Sequence, residues 1–284
     1  MSERRIFCFW EPRDCVPAYL RLCMRTWEGH IPDYKIVLLD YSNLRDWIEE
    51  GDLDVETLKA MSLAQQADAI RAAVLFRHGG IWMDLDTIIT SPNCRVLLPE
   101  AGKFTLINKH VAFISVDGAG HPIAEGWLRN VQRRLAVVRW YCGRTSRFSR
   151  FVRLARSHFL HTRPVLLDRW DAMGNGPLEP ALKRYATQFR SLDRTELKAL
   201  PEVFISTNGT TNMRAYEEFY FTNKHVELLL SAAREGSGIV CLHNSWTPKR
   251  FRQMDEKTFL ASGVALAELL KQVLPEEVRS HGAL

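Results

Sequence analysis

The chain carries no cysteine framework. Six cysteines (Cys8, Cys15, Cys23, Cys94, Cys142 and Cys241) are scattered through 284 residues without one CxxC pair. That argues against a zinc site and a disulfide scaffold, and leaves them as small buried apolar residues. Long hydrophobic runs are missing too. The first apolar run, Ile6-Phe7-Cys8-Phe9-Trp10, is too short for the core of a signal peptide and lacks a small-residue cleavage site. No stretch approaches the roughly 18 apolar residues of a membrane span, so the expected location is cytoplasmic, free or peripheral on the inner face of a membrane. Internal repeats, low-complexity tracts and nucleic-acid modules are absent, and nucleic acid is not an expected partner. A strong charge imbalance is lacking as well: the net charge is only +5, which favours anionic partners weakly.

What is present is an ordinary globular composition, 46% hydrophobic and 25% charged, sufficient for a sizeable core. The expected organisation is one domain over 1–284 with a helical basic lobe at 122–170. Residues 5–10 read as a buried strand, 17–28 as a helix and 35–39 as a second strand, the opening of an α/β domain with a parallel sheet. Short helices are expected at 43–50 and 54–60. A stronger helix over 63–77 has Leu63, Ala67, Ile70, Val74 and Leu75 on one face and ends at Gly79-Gly80. Ile81-Trp82-Met83 is then a strand, and further strands are expected at 104–107, 111–116, 202–206 and 239–242. The remaining helices are placed at 178–189 and 256–274.

The strand at Ile81 runs into Asp84-Leu85-Asp86. In extended chain, positions i and i+2 point the same way, and two carboxylates aimed at one spot require compensation by a cation or by hydrogen bonds. Mg²⁺ or Mn²⁺ suits such a pair, because these hard cations take one or two carboxylates together with substrate phosphates. The triplet alone is a weak signal, since Asp52-Leu53-Asp54 repeats it. That earlier pair follows Gly51 and reads as a solvated helix start with Asp54 as a cap. Context separates the two. Asp68 and Arg71, at i and i+3, share one face of the helix before Gly79-Gly80. They form either a surface ion pair or an acceptor and a planar donor fork directed into the pocket of Asp84 and Asp86.

The run Ala67-Asp68-Ala69-Ile70-Arg71, continued through Leu75, Gly79-Gly80-Ile81-Trp82 and Asp84-Leu85-Asp86, resembles the signature of the DxD sugar-binding glycosyltransferases. That family includes capsular polysaccharide synthesis enzymes and fungal initiating α-mannosyltransferases, and is distantly similar to the clostridial glucosylating toxins. The resemblance implies a nucleotide-sugar-binding α/β fold of the GT-A type with a mainly parallel central sheet, a divalent cation (Mn²⁺ or Mg²⁺), a donor that is a UDP-sugar, and retention of anomeric configuration. It implies Asp86 as the direct metal ligand, Asp84 toward the ribose and the metal, and Asp68 and Arg71 on the donor sugar. Trp82 stands where the family often places an aromatic residue of the donor pocket. Trp10, at the end of the first strand, is either core or a platform near the base.

Near the C-terminus, Cys241-Leu242-His243-Asn244-Ser245-Trp246 is similar to the family's closing His…Trp segment. There His243 is a metal or diphosphate contact, or simply a structural histidine; Trp246 is an indole donor to phosphate and Lys249 an added charge. Gly174-Asn175-Gly176-Pro177-Leu178 is either a plain turn or a loop bordering the acceptor. From Arg129 to Arg169 there are eleven arginines, no lysine and one acid, Asp168, interleaved with aromatics. This stretch reads as a solvated lobe or as a face for an anionic membrane. The expected acceptor is a glycan or a lipid-linked glycan in surface polysaccharide or lipopolysaccharide synthesis. The alternatives are a toxin-like protein glycosyltransferase and a sugar-nucleotide-binding protein without catalysis.

Overall fold

The computed structural model describes residues 3–107, 110–142, 172–192, 213–235 and 238–275. Its centre is a six-stranded sheet in the order β2-β1-β3-β6-β5-β7. The strands are β1 (Arg5–Phe9), β2 (Lys35–Leu39), β3 (Gly80–Met83), β5 (Phe104–Ile107), β6 (His110–Val116) and β7 (Phe189–Leu192). β1 pairs in parallel with β2 and β3, and β5 with β7, while β6 runs antiparallel to β3 and β5. A separate antiparallel pair joins β4 (Thr87–Ile89) to β8 (Ile239–Cys241). This is the mainly parallel α/β architecture expected of a GT-A-type domain.

Helices cover both faces, as a largely parallel sheet requires. They are α1 (Ala18–His30), α2 (Val55–Lys59), α3 (Leu63–His78), α4 (Pro122–Cys142), α5 (Asn175–Arg184), α6 (Met213–Tyr220), α7 (Val226–Glu235), α8 (Lys249–Arg252), α9 (Glu256–Ala261) and α10 (Ala265–Val273). Strand alternation divides the core into two. Ile6, Cys8, Ile81 and Met83 pack with α1, α7 and α10, whereas Phe7, Phe9 and Trp82 pack with α3, α4 and α5. This parity decides the site. Trp82 and Asp84 are two apart, so both face α3.

α3 begins with a capping box between Ser62 and Gln65 and ends at Gly79. The two glycines that follow are sterically required. Gly79 has φ +63, and a Cβ there would lie 2.5 Å from the Gly118 carbonyl carbon; Gly80 has φ +86, and its Cβ would meet the Arg5 carbonyl oxygen at 2.8 Å. Only glycine lets the chain leave the helix and enter β3 against β1 so directly.

Several expectations are corrected. The C-terminal helix expected over 256–274 is two helices, broken at Gly263 with φ +68. Residues 43–50 contain only a short 3-10 turn, Leu44–Asp46. The helix expected over 178–189 spans Asn175–Arg184 and gives way to strand β7. Strand β4 was not expected, nor were helices α6 and α7. Cys8, Cys23 and Cys94 are buried as expected, but Cys15 is exposed. The strand expected at 202–206, and the basic lobe beyond Cys142 up to 170, lie outside the described residues. Among the described residues no helix is long and apolar enough to cross a membrane.

Candidate active site

α3 and the end of β3 deliver the central residues. Asp68 and Arg71 project from one face of α3 and are 5% and 3% exposed, so they are not a surface ion pair. Arg71 Nη2 lies 3.2 Å from Asp68 Oδ1 and 3.0 Å from Asp84 Oδ1. Its Nη1 donates to the Val111 carbonyl, and its guanidinium sits over the Trp82 ring, 4.9 Å from the centroid. One buried cation therefore ties the helix carboxylate to the strand-end carboxylate. It is balanced by two acids and a carbonyl, as a buried charge must be.

Asp84 receives a second donor on the same oxygen, the Trp82 indole N–H at 2.9 Å. Its Oδ2 takes neither of these bonds. Asp86 is anchored by the Asn244 backbone N–H, which donates to Oδ2 at 2.8 Å. The Asp86 carbonyl accepts from the Leu242 N–H at 2.8 Å, so the closing segment is stitched directly to the DxD. Burial, and next the charge of Asp84, push the Asp86 carboxyl up to about 7, against the lowering effect of the Asn244 N–H. The pair thus holds more negative charge than the protein neutralises, and draws a proton or a cation.

Trp10, Asp68, Arg71, Asp84, Asp86 and His243 line one cavity of about 360 Å³, together with Phe9, Leu20, Ala64, Val111, Asn244 and Ser245 among others. The remaining expected residues stand elsewhere. Trp82 is buried and touches the site only through Asp84 and Arg71. Trp246 lies outside the cavity wall with its ring 4.4 Å from that of His243. Lys249 is exposed at the start of α8 and does not line the cavity. The His243 backbone N–H donates to the Tyr216 hydroxyl at 3.0 Å, and Tyr19 donates to Asn244 Oδ1 at 2.5 Å. Two buried phenols from α1 and α6 therefore hold the closing segment in place.

Among the described residues no three His, Cys, Asp or Glu side chains cluster as an all-protein metal cage. Two carboxylates at the wall of an open cavity are nevertheless the donor set that hard divalent cations use when phosphates and water complete the shell. The residues fit such a cation.

Two contributions have no side-chain signal in the sequence. Asn244 anchors Asp86 through its backbone. Gly174, just before α5, packs on Asp68: a Cβ there would lie 2.6 Å from Asp68 Oδ2. The Gly174–Leu178 segment is thus the start of a helix seated against Asp68, not a plain turn.

Residues 1–113 match the family model described as "Capsular polysaccharide synthesis protein". The matched stretch holds Trp10, Asp68, Arg71, Asp84 and Asp86, and it agrees with the resemblance drawn from the Asp68–Asp86 run. Among solved structures, the chain is similar to one titled "PaToxG Glycosyltransferase", at 14% identity and a TM-score of 0.41, over 96% of this chain and 86% of that one. No curated protein matches the chain.

Proposed function

We propose that the protein is a metal-dependent, retaining glycosyltransferase that moves a sugar, a hexose of a UDP-sugar, to a glycan or lipid-linked acceptor in surface polysaccharide synthesis. The observation that carries this reading is the convergence of Asp68, Arg71, Asp84 and Asp86 on one cavity wall. The family match over residues 1–113 supports the same reading.

Asp84 and Asp86 would hold Mn²⁺ or Mg²⁺ against the donor diphosphate, with His243 at the edge of the same cavity. The cation, when bound, supplies Lewis-acid stabilisation of the leaving diphosphate. The protein's own part is placement. Asp68 accepts hydrogen bonds from sugar hydroxyls, while Arg71 fixes Asp68 and Asp84 relative to one another. Trp10, half-buried at the cavity edge, offers a flat face for the base. The bond from the anomeric carbon to the phosphate oxygen breaks, and the acceptor oxygen bonds to that carbon from the same face. The departing phosphate takes the acceptor's proton. No glycosidase-like acid is needed, because the leaving group departs as a stabilised anion.

The test is incubation with a panel of UDP- and GDP-sugars, with and without Mn²⁺. Metal-dependent hydrolysis of one donor is expected, and its absence for every donor refutes the proposal. A trapped glycosyl-enzyme adduct would refute the same-face route while leaving the transferase intact.

A further inference from the structure

A hollow of opposite charge to the active-site cavity lies beside α4 and α5. The helices approach closely where Gly126 meets Ala181: a Cβ on Gly126 would lie 3.0 Å from the Ala181 Cβ. Beside that crossing runs a groove of about 230 Å³ whose polar lining is Glu125, Arg129, Asn130, Arg133, Arg184 and Tyr185. On α4, Glu125, Arg129 and Arg133 recur every four residues and Asn130 stands three before Arg133, so they share one helical face. The arginines stand at the exposed rim of the groove, above the Gly126–Ala181 crossing, and three guanidinium groups share that rim with one carboxylate, Glu125.

The charge is not balanced within the groove. Arg129 pairs with Glu125 at 2.5 Å. Arg133 reaches only the Asn130 side-chain oxygen, at 3.5 Å, and Arg184 lies over the Tyr185 ring, 5.3 Å from its centroid. Neither has a carboxylate partner among the described residues. Asn130 is itself fixed, its Nδ2 donating to the Pro177 carbonyl at 2.9 Å. Arg129 and Arg133, one turn apart, repel each other, and that repulsion is relieved when an anion sits between them.

We propose that this groove binds a phosphoryl group borne by a ligand other than the nucleotide-sugar donor. Guanidinium forks arriving from two helices suit a tetrahedral oxyanion, which accepts from several directions; a planar carboxylate engages a single fork. The donor's own diphosphate is excluded by distance. Gly174, at one end of α5, touches Asp68, whereas Arg184 closes the other end, roughly 15 Å along the helix axis. The inference does not depend on the transferase reading.

The full chain is titrated with inorganic phosphate by calorimetry, and sedimented with phosphatidylcholine vesicles with and without phosphatidic acid. R133Q/R184Q is compared with wild type and with R139Q/R190Q, which removes the same charge outside the groove. Expected is a loss of at least about tenfold in phosphate or vesicle affinity in R133Q/R184Q alone, for two charge-assisted contacts removed. Loss in the vesicle arm assigns the phosphoryl group to a lipid headgroup, and loss confined to free phosphate assigns it to a soluble ester. Equal behaviour of all three proteins in both arms, or equal loss in the two double variants, overturns the proposal. Unchanged Mn²⁺-dependent donor hydrolysis, or an unchanged urea midpoint, shows that R133Q/R184Q is folded.

Discussion

Replacing Arg71 by methionine removes the charge on which two buried groups and the half-buried Asp84 depend while nearly preserving side-chain volume. Asp68, whose side chain is 8% exposed, then loses its cation, and the Val111 carbonyl loses its donor. Asp84 keeps the Trp82 N–H and is 32% exposed, so water compensates it in part. Removing one member of a buried ion pair costs about 3–5 kcal/mol. The partial exposure of Asp84 places the expected loss toward the lower end of that range. With a urea slope of roughly 3 kcal/mol per molar for a chain of this size, the midpoint falls by about 1 M. The assay is equilibrium urea unfolding followed by tryptophan fluorescence, checked with a second probe for a single transition. The partner variant is D68N on the R71M background. Removing the Asp68 charge as well should restore part of the loss, giving a coupling of about 1–3 kcal/mol in the double-mutant cycle. A loss below about 1 kcal/mol, the level of an exposed ion pair, together with additive effects in the cycle, refutes the argument that Arg71 is a buried clamp.

Three further outcomes follow from the geometry. G174A places a methyl group 2.6 Å from Asp68 Oδ2; donor affinity should fall about tenfold or more while Mn²⁺ affinity is retained, and equal donor titration curves for variant and wild type refute this. Because the Asp86 pKa is raised to about 7, its proton stabilises the folded state at low pH. That contribution is fully present below the ordinary carboxylate range and is lost as pH rises toward about 7. The metal-free protein should therefore show a falling thermal midpoint over that window, a slope missing in D86N. In the same range the cation competes with the proton, so Mn²⁺ affinity should be about tenfold weaker at pH 6 than above pH 8, read by calorimetry. D52N should lower stability by about 1–3 kcal/mol, because Arg77 loses its bidentate partner but keeps Glu49 at 2.7 Å, without changing Mn²⁺ affinity, and a loss of metal binding there would place the two aspartate pairs in one site.

The framework was legible because it rests on short-range signals. Apolar runs bounded by Pro, Asp or Gly marked β1, β2 and β3, and helical spacing followed by Gly79-Gly80 marked α3 and its stop. The elements not anticipated lack such signals. Thr87–Ile89 is three residues long and is a strand because β8 pairs with it from the far end of the chain. Phe189–Leu192 follows a helix without a turn signature and is fixed by β5. Gly263 broke the C-terminal helix, although single glycines are tolerated within helical patterns. At the site, the spacing offered a shared pocket for Asp68, Arg71, Asp84 and Asp86 as one of two readings, and the structure brings the four side chains to one cavity. The Asn244 N–H and the Gly174 backbone were not legible, because a backbone contact leaves no mark on residue type. Trp82 was expected in the pocket wall; it lies two residues deeper in β3 than Asp84, buried under Arg71, and meets the cavity through the bond its indole donates to Asp84.

The two Asp-Leu-Asp triplets show what sequence alone leaves undecided. Asp52 was expected to be solvated, yet it is 3% exposed. It accepts from Arg77 Nε at 2.8 Å and Nη2 at 2.6 Å, and from the Glu49 backbone N–H at 2.8 Å. Asp54 caps α2, accepting from the Thr57 N–H at 3.2 Å and its hydroxyl at 2.8 Å. Both oxygens of each of these carboxylates are thus used within the fold. Asp84 is instead held through one oxygen and Asp86 through backbone N–H groups alone, at a cavity, with Arg71 already shared with Asp68. The difference is the local supply of donors. A carboxylate fully served by the protein contributes to stability, whereas a pair under-served by the protein keeps charge available for a ligand. The DxD of this chain is therefore identified by what surrounding residues withhold from it: β3 and α3 bring one cation for three acids, and the remaining charge faces the cavity.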